Sequence, residues 1–421
     1  MIDLFSLRIL RQTLRGDIPL PPFPVVLGTV LGALCLLAAV LVIVRTAFPR
    51  REKTSVSAGK KALKLFRNLL EWAVLSFLFL WGFQVRSRSI LSLNPESEFL
   101  PKFTLARETS PGKTPILTIA HFSDLHGADN TNVKRYLRFC RHYSDYIDVL
   151  LNTGDVIPRS YSDDFSWYTR TSGSDKVLFC IGNHDVAEMT DGKFDWAAHN
   201  GAEAFERYFA PFLQGWDVRH PGGQACYYYK DFPENCIRLV VLDMMDYTAE
   251  QDQWLSEVLE EARAAGLHVT VASHFTGTPC TRVECRFSSP TYTGVNGGIP
   301  FMPDPAMYGK AAETIDTFIG NGGTFTCWLV GHTHVDMVCR VQDTAYPQLV
   351  IISDTAQYDT PNNPDSSHRF GTRSQDAFNI VSIDTEKQLV KVFKVGADKD
   401  RRLRKKDGVC LSYATGEVVG E

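Results

Sequence analysis

The sequence predicts an α/β fold, layered sheets with helices outside them, preceded by an N-terminal transmembrane region. Three observations predict it: a run of twenty uncharged apolar residues near the N-terminus, an alternation of short β-rich runs with helical stretches from residue 116 onward, and near-continuous apolar runs such as VLFCI and RLVVLD, which suit strands buried on both faces. The chain has 421 residues, 44% hydrophobic and 22% charged, close to globular averages and enough for a large core. No repeat of solenoid length is visible.

Charge divides the chain in two. Residues 1–100 hold 13 Lys and Arg against 6 Asp and Glu, and the rest hold 31 against 42. A basic, apolar part suits an anionic membrane surface. An acidic remainder argues against general affinity for nucleic acid, which depends on Lys and Arg neutralising phosphates; a lipid bilayer is the expected partner and nucleic acid is not.

Residues 25–44, VVLGTVLGALCLLAAVLVIV, are long enough as a helix to cross a hydrocarbon core of roughly 30 Å. A cleaved signal peptide would carry a shorter apolar region, and the RTAFPRRE that follows offers no A-x-A-like site. A second apolar stretch, residues 69–85, is interrupted by Glu71 and rich in aromatics. It reads as a second span, with an interfacial helix or a helix packed on the C-terminal domain as alternatives. Arg45, Arg50, Arg51, Lys53, Lys60, Lys61, Lys64 and Arg67 lie between the two, and the positive-inside rule keeps them in the cytoplasm. Two spans place the following domain outside the cytoplasm, the expectation adopted; one span places it inside.

The expected organisation is a membrane anchor at residues 1–91, a Pro-punctuated linker at 92–115, a folded domain at 116–395 and a C-terminal tail at 396–421. Strands are expected at 116–122, 149–152, 177–181, 237–242, 269–273, 326–330, 349–352, 378–383 and 389–393. A helix at 250–265 puts Trp254, Leu255, Val258, Leu259 and Ala262 on one face and stops at Gly266. Another starts near Asp304 and ends before Gly320, Gly322 and Gly323. Cys226 with Cys236, and Cys280 with Cys285, are spaced closely enough to bridge if exported, buried thiols being the alternative; no C-x-x-C spacing supports a structural zinc.

The chemistry lies in five polar words, each directly after an expected strand: SDLHG (Asp124, His126), TGDV (Asp155), GNHD (Asn183, His184, Asp185), ASHF (His274) and GHTH (His332, His334). A ligand crevice in an α/β domain forms at the carboxyl ends of strands, so the five loops can converge. Carboxylate, imidazole and amide oxygen together suit Mn, Fe, Zn, Ni or Co better than calcium. Two such divalent ions sharing a carboxylate could clamp a phosphate ester and generate hydroxide at neutral pH.

In order and content these words resemble the calcineurin-like metallophosphoesterase signature D-x-H, G-D, G-N-H-[DE], H, G-H-x-H over residues 116–335, and by strand pattern to Val395. The resemblance implies an α/β/β/α metallophosphoesterase sandwich that hydrolyses a phosphomono- or phosphodiester with metal-bound hydroxide. It implies Asp124, His126 and His334 at a first metal, Asn183, His274 and His332 at a second, and Asp155 bridging them. It also implies His184 as the acid for the leaving oxygen and Asp185 as the residue that positions its ring. Gly127, Gly154, Gly182 and Gly331 fit tight turns beside such a cluster, as they would fit ordinary turns.

Purple acid phosphatases, similar in pattern, replace the His of D-x-H and place a tyrosine three residues after the Asp of G-D. Here those positions hold His126 and Pro158, which argues against a tyrosinate–iron site. Residues 276–308 read as a long loop over the site or as surface padding. His121, His142, His199, His220, His268 and His368 lack partners at ligand spacing and read as structural or surface residues, and the basic run from Arg401 to Lys406 reads as solvated tail. The rival functions are a catalytically weak binding protein on the same fold, which missing ligands would favour, and a nuclease, which the acidic domain disfavours.

Overall fold

The computed structural model describes residues 116–126, 131–156, 176–186, 188–190, 193–195, 201–222, 225–283, 305–334, 336–353, 377–396 and 409–419. All lie in one compact unit, Leu91–Glu421. The two apolar stretches at 25–44 and 69–85, the linker at 92–115, Cys285, Gly127 and the basic run at 401–406 fall outside the described residues. Among the described residues no helix is long and apolar enough to cross a membrane.

Two mixed sheets form the body. The first runs, edge to edge, Glu417–Val418, Val409–Ser412, Leu389–Gly396, Ala377–Asp384, Ile116–Phe122, Val149–Asn152 and Val177–Phe179, the last three parallel to one another. The second runs Cys280–Arg282, Met337–Val341, Leu349–Ile352, Thr324–Val330, His268–Ala272, Ile237–Val241, Tyr228–Phe232 and Val218–Arg219, with four parallel strands from Leu349–Ile352 to Ile237–Val241. The central strands are buried along their whole length, as the unbroken apolar runs require.

Helices cover the outer faces. Thr131–His142 lies on the first sheet, with Tyr136 stacked on Phe122 at 4.0 Å and Phe139 edge-on to Phe378. Against the second sheet lie Ala249–Ala264 and Lys310–Gly320. Thr248 caps the former by accepting the Gln251 N–H, Leu255, Val258, Leu259 and Ala262 form its buried stripe, and Gly266 at φ 68° ends it in a left-handed turn no β-carbon favours. The result is the expected mixed α/β sandwich.

Two expectations change, and one pair of alternatives is narrowed. The segment read as tail folds in part: Val409–Ser412 and Glu417–Val418 extend the first sheet, burying Val409, Leu411 and Tyr413, whose hydroxyl meets His268 Nδ1 at 2.7 Å. The expected loop at 276–308 begins with a strand, Cys280–Arg282, that pairs antiparallel with Met337–Val341. Cys226, buried, and Cys236, exposed, are separate thiols.

Candidate metal centre

All five polar words sit where parallel strands end. From the first sheet, Asp124 follows Ile116–Phe122, Asp155 follows Val149–Asn152, and Asn183 follows Val177–Phe179 at the start of a single turn, Asn183–Val186. From the second, His274 follows His268–Ala272, and His332 and His334 follow Thr324–Val330. Backbone bonds sew neighbouring loops together: Asp124 N–H donates to the Gly154 carbonyl (3.1 Å), His126 N–H to the Asp155 carbonyl (2.9 Å) and Gly331 N–H to the His274 carbonyl (3.0 Å).

The loops are strained where the chemistry is. Of eight described non-glycine residues with positive φ, five are Asp124, His126, Asp155, His332 and His334. Left-handed conformations persist at such residues only when the surroundings over-determine them, and they gather at functional sites. Two glycines make room. A β-carbon on Gly154, at φ 98°, would strike the His274 ring, and one on Gly331 would overlap Ser123 and approach Asp124 Oδ2 to 2.7 Å.

Two groups of ligand atoms result, meeting at one carboxylate. In the first, Asp124 Oδ1 stands 3.2 Å from His334 Nε2 and 3.8 Å from His126 Nε2, the two nitrogens being 3.2 Å apart. In the second, Asn183 Oδ1 lies 3.0 Å from both His274 Nε2 and His332 Nδ1, which are 3.2 Å apart. Asp155 Oδ2 reaches both, at 3.7 Å from His126 Nε2 and 3.4 Å from His274 Nε2. Lone-pair atoms held this close call for a cation between them, so the donor set fits divalent ions. Sequence reasoning had assigned these seven residues, and the structure brings all of them together.

Electrostatics agree. Burial pulls the imidazoles of His126 and His332 down to about 4, which keeps them neutral, the form a metal ligand needs. Burial opposes charge on Asp124 and Asp155 as well, but the neighbouring imidazoles hold both carboxyls well below the usual range. Burial also works against protonation of His274, yet Asp155 and Asp124 outweigh it and lift the group to about 9. Without a metal, that imidazole supplies the positive charge the carboxylates demand. Its Nδ1, 2.6 Å from the Thr153 carbonyl, must carry a proton, which leaves Nε2 to face the ligand cluster.

His184 stands at the mouth. Against exposures of 0–6% for the side chains of Asp124, His126, Asp155 and His274, its side chain is 16% exposed and that of His334 34%. Its ring meets the His126 ring edge-on at 4.4 Å, with Nε2 3.9 Å from Asp155 Oδ2. Asp185 has a task other than the ring support expected of it. Its carboxylate accepts the backbone N–H groups of Asp155 (2.8 Å), Val156 (2.8 Å) and Gly182 (2.9 Å), fastening the loop that carries the bridging aspartate. His184 N–H in turn donates to Asp155 Oδ1 (2.7 Å). Sequence reasoning passed over Thr153, whose part here is played by a backbone carbonyl that leaves no side-chain signal.

The model of the calcineurin-like phosphoesterase family matches residues 117–336, from the first strand to just past the GHTH word. Among solved structures the chain is similar to a dimetal phosphatase from Danio rerio, with a TM-score of 0.45, 13% identity, and coverage of 70% of this chain and 99% of that one. It is also similar to a phosphatase from Mycoplasma pneumoniae (TM-score 0.31, 13% identity, 69% and 97% covered). A third is the phosphopantetheinyl hydrolase of Mycobacterium tuberculosis (TM-score 0.28, 13% identity, 57% and 90% covered). No curated protein matches in sequence.

Proposed function

The chain belongs to the calcineurin-like phosphoesterase family, hydrolases acting on phosphate esters, and we propose that it cleaves a phosphomono- or phosphodiester at a dinuclear centre bridged by Asp155. The observation that carries this reading is the position of Asp155 Oδ2, between the Asp124–His126–His334 cluster and the Asn183–His274–His332 cluster. Two divalent ions there would polarise the phosphoryl oxygens and make a bound water acidic enough to attack at neutral pH. The chain's own residues do the rest. Asp185 and the Gly182 turn hold Asp155 in place, Thr153 fixes the tautomer of His274, and His184, at the open mouth, gives a proton to the leaving oxygen.

One observation favours a second role for His184: its ring nitrogen groups with His126 and Asp155 within ligand reach. Metal analysis distinguishes the two, because a ligand lost to alanine lowers metal content and an acid does not. For the reading as a whole the test is stoichiometry. The chelator-treated protein, refilled and desalted, should retain two ions per chain along with its phosphatase activity. Saturation at one ion with full activity would sink the dinuclear mechanism.

The anchoring is part of the same proposal. Residues 25–44 and 69–85 tether the catalytic domain to a bilayer and, as two spans with eight basic residues between them, hold it on the extracytoplasmic side. A tethered enzyme suits a surface or lipid-linked phosphate ester. Protease added to sealed, right-side-out membranes should release the domain by cutting within residues 92–115. Protection until the membrane is permeabilised would instead indicate one span and a cytoplasmic enzyme.

A further inference from the structure

Directly behind the metal loops, the first sheet carries a row of buried polar side chains that the proposed chemistry does not use. Side chains alternate along a strand, and Phe122 faces the outer helix, so its neighbour His121 faces the second sheet. Strand register extends the position sideways, pairing His121 with Asn379 and Asn379 with Lys394. Each residue reaches its own anchor. His121 Nε2 lies 3.0 Å from Thr153 Oγ1, Asn379 Nδ2 donates to the Ile352 carbonyl (3.3 Å), and the Lys394 ammonium donates to the Asp336 carboxylate.

The last two links join one sheet to the other, and both land beside the GHTH loop. Asp336 stands two residues after His334, and Ser353, next to Ile352, donates its N–H to the carbonyl of Val330, where that loop departs. The Lys394 and Asp336 side chains are 7% and 8% exposed. A buried ion pair adds little net stability over an apolar pair of the same volume, so its presence asks for a reason other than stability. Its place supplies one. Asp124 and Asp155 come from the first sheet, His332 and His334 from the second, and a metal tolerates ligand distances only to within about 0.2 Å.

We infer that the Lys394–Asp336 pair is a clasp that positions the GHTH loop against the first-sheet loops and so sets the spacing between the two parts of the metal centre. Lys394 is then a positioning residue, acting through Asp336 on His334. The inference rests on the dinuclear reading above, and its test separates the two.

Full-length wild type, Lys394→Met, and the double variant Lys394→Met with Asp336→Leu are stripped with chelator and titrated with Mn2+ by calorimetry. The loaded proteins are then compared by electron paramagnetic resonance, which shows whether two manganese ions are close enough to couple. Wild type should take two ions and give a coupled spectrum. Both variants should bind roughly 10- to 100-fold more weakly, as loss of an outer-shell partner does elsewhere, and give spectra of isolated ions. The double variant, whose apolar pair refills the space, should melt near wild type. A folded double variant with wild-type affinity and coupling would reduce the pair to core filling and overturn the inference. If the methionine variants do not fold, Lys394→Arg decides alone: it keeps the charge but changes the reach, so unchanged coupling overturns the clasp and altered coupling supports it. Wild type binding fewer than two ions would remove the dinuclear reading itself, and the inference with it.

Discussion

The two sides of the metal centre are built from different chemistry. The first sheet brings the carboxylates, Asp124 and Asp155, with Asn183 and one imidazole, His126, and backbone N–H groups from both sheets' loops hold the carboxylates: His332 N–H, from the second sheet, on Asp124 Oδ2 at 2.9 Å, and His184 N–H, from the first, on Asp155 Oδ1 at 2.7 Å. The second sheet brings three imidazoles, His274, His332 and His334, which contact the carboxylates and one another through their rings. The carboxylate side is therefore a fixed charge. The imidazole side adjusts, with His332 drawn down to about 4 by burial and by its neighbour His274, and His274 lifted to about 9 by the carboxylates despite its burial. Rigidity on one side and adjustable charge on the other would let the site release protons on taking up metal.

The largest effect should come from removing charge on the fixed side where both clusters meet. Asp155→Asn keeps the shape but halves the fixed negative charge, and both ions should be lost from the purified protein along with nearly all phosphatase activity. Retention of two tightly bound ions and full turnover would show that the carboxylate side does not organise the centre.

Next in size is His184→Ala, which leaves both sides standing and removes only the group at the mouth. Two ions should remain while kcat falls by about 10²- to 10⁴-fold, the usual worth of a positioned acid. The loss should shrink for nitrophenyl phosphate, whose leaving group needs no proton, relative to an alkyl phosphate. Equal losses for the two substrates would remove the acid role, and loss of an ion would move His184 to the ligand set.

Asp185→Asn tests how the fixed side is held. The carboxylate accepts three backbone N–H groups, and an amide presents donors of its own to them. Metal affinity should drop roughly 10- to 100-fold, with the pH dependence of turnover unchanged because the acid is untouched. A shifted alkaline limb of turnover, where a general acid loses its proton, with normal metal affinity would restore the ring-positioning role.

The same comparison explains what the sequence reveals and what it hides. The candidate ligands are legible because each is a side chain of a type metals use, placed right after an apolar strand; Ile116–Phe122, Val149–Asn152 and Leu349–Ile352 occur as the apolar runs indicate. The supports are not legible, since they work through backbone atoms or across long separations. Asp185 holds amides about 30 positions away, and Lys394 finds Asp336 58 positions away. Strands near the sheet margins are hidden for a similar reason. Tyr228–Phe232 reads YYKDF, only half buried, and draws its stability from pairing with Ile237–Val241. Val409–Ser412 lies beyond a basic run and becomes a strand because Leu389–Gly396 offers it an edge.

The smallest predicted effect compares two histidines, both fully buried, whose surroundings drive them in opposite directions. Burial and the positive charge of Lys394 push His121 from 6.5 down to about 3, only partly opposed by Asp124, whereas His274 rises to about 9. In the unfolded chain both sit near 6.5. For His121 the unfolded state therefore binds a proton that the folded state refuses, so stability falls as pH drops from about 6.5 towards about 3 and levels off below that. For His274 in metal-free protein the sign reverses: the folded state binds the extra proton, and its contribution, complete below about 6.5, is lost as pH rises through about 9. Denaturant unfolding of chelator-treated protein across this range should give a stability maximum near neutrality. His121→Gln, which keeps a polar atom near Thr153 Oγ1, should flatten the acid limb by up to one proton, or ~1.4 kcal/mol per pH unit, and leave the alkaline limb alone. With both ions bound, His274 can no longer take a proton and the alkaline limb should disappear while the acid limb of His121 persists. An alkaline limb that survives metal loading would mean that His274 does not face the ions, and the second side of the centre would have to be redrawn without it.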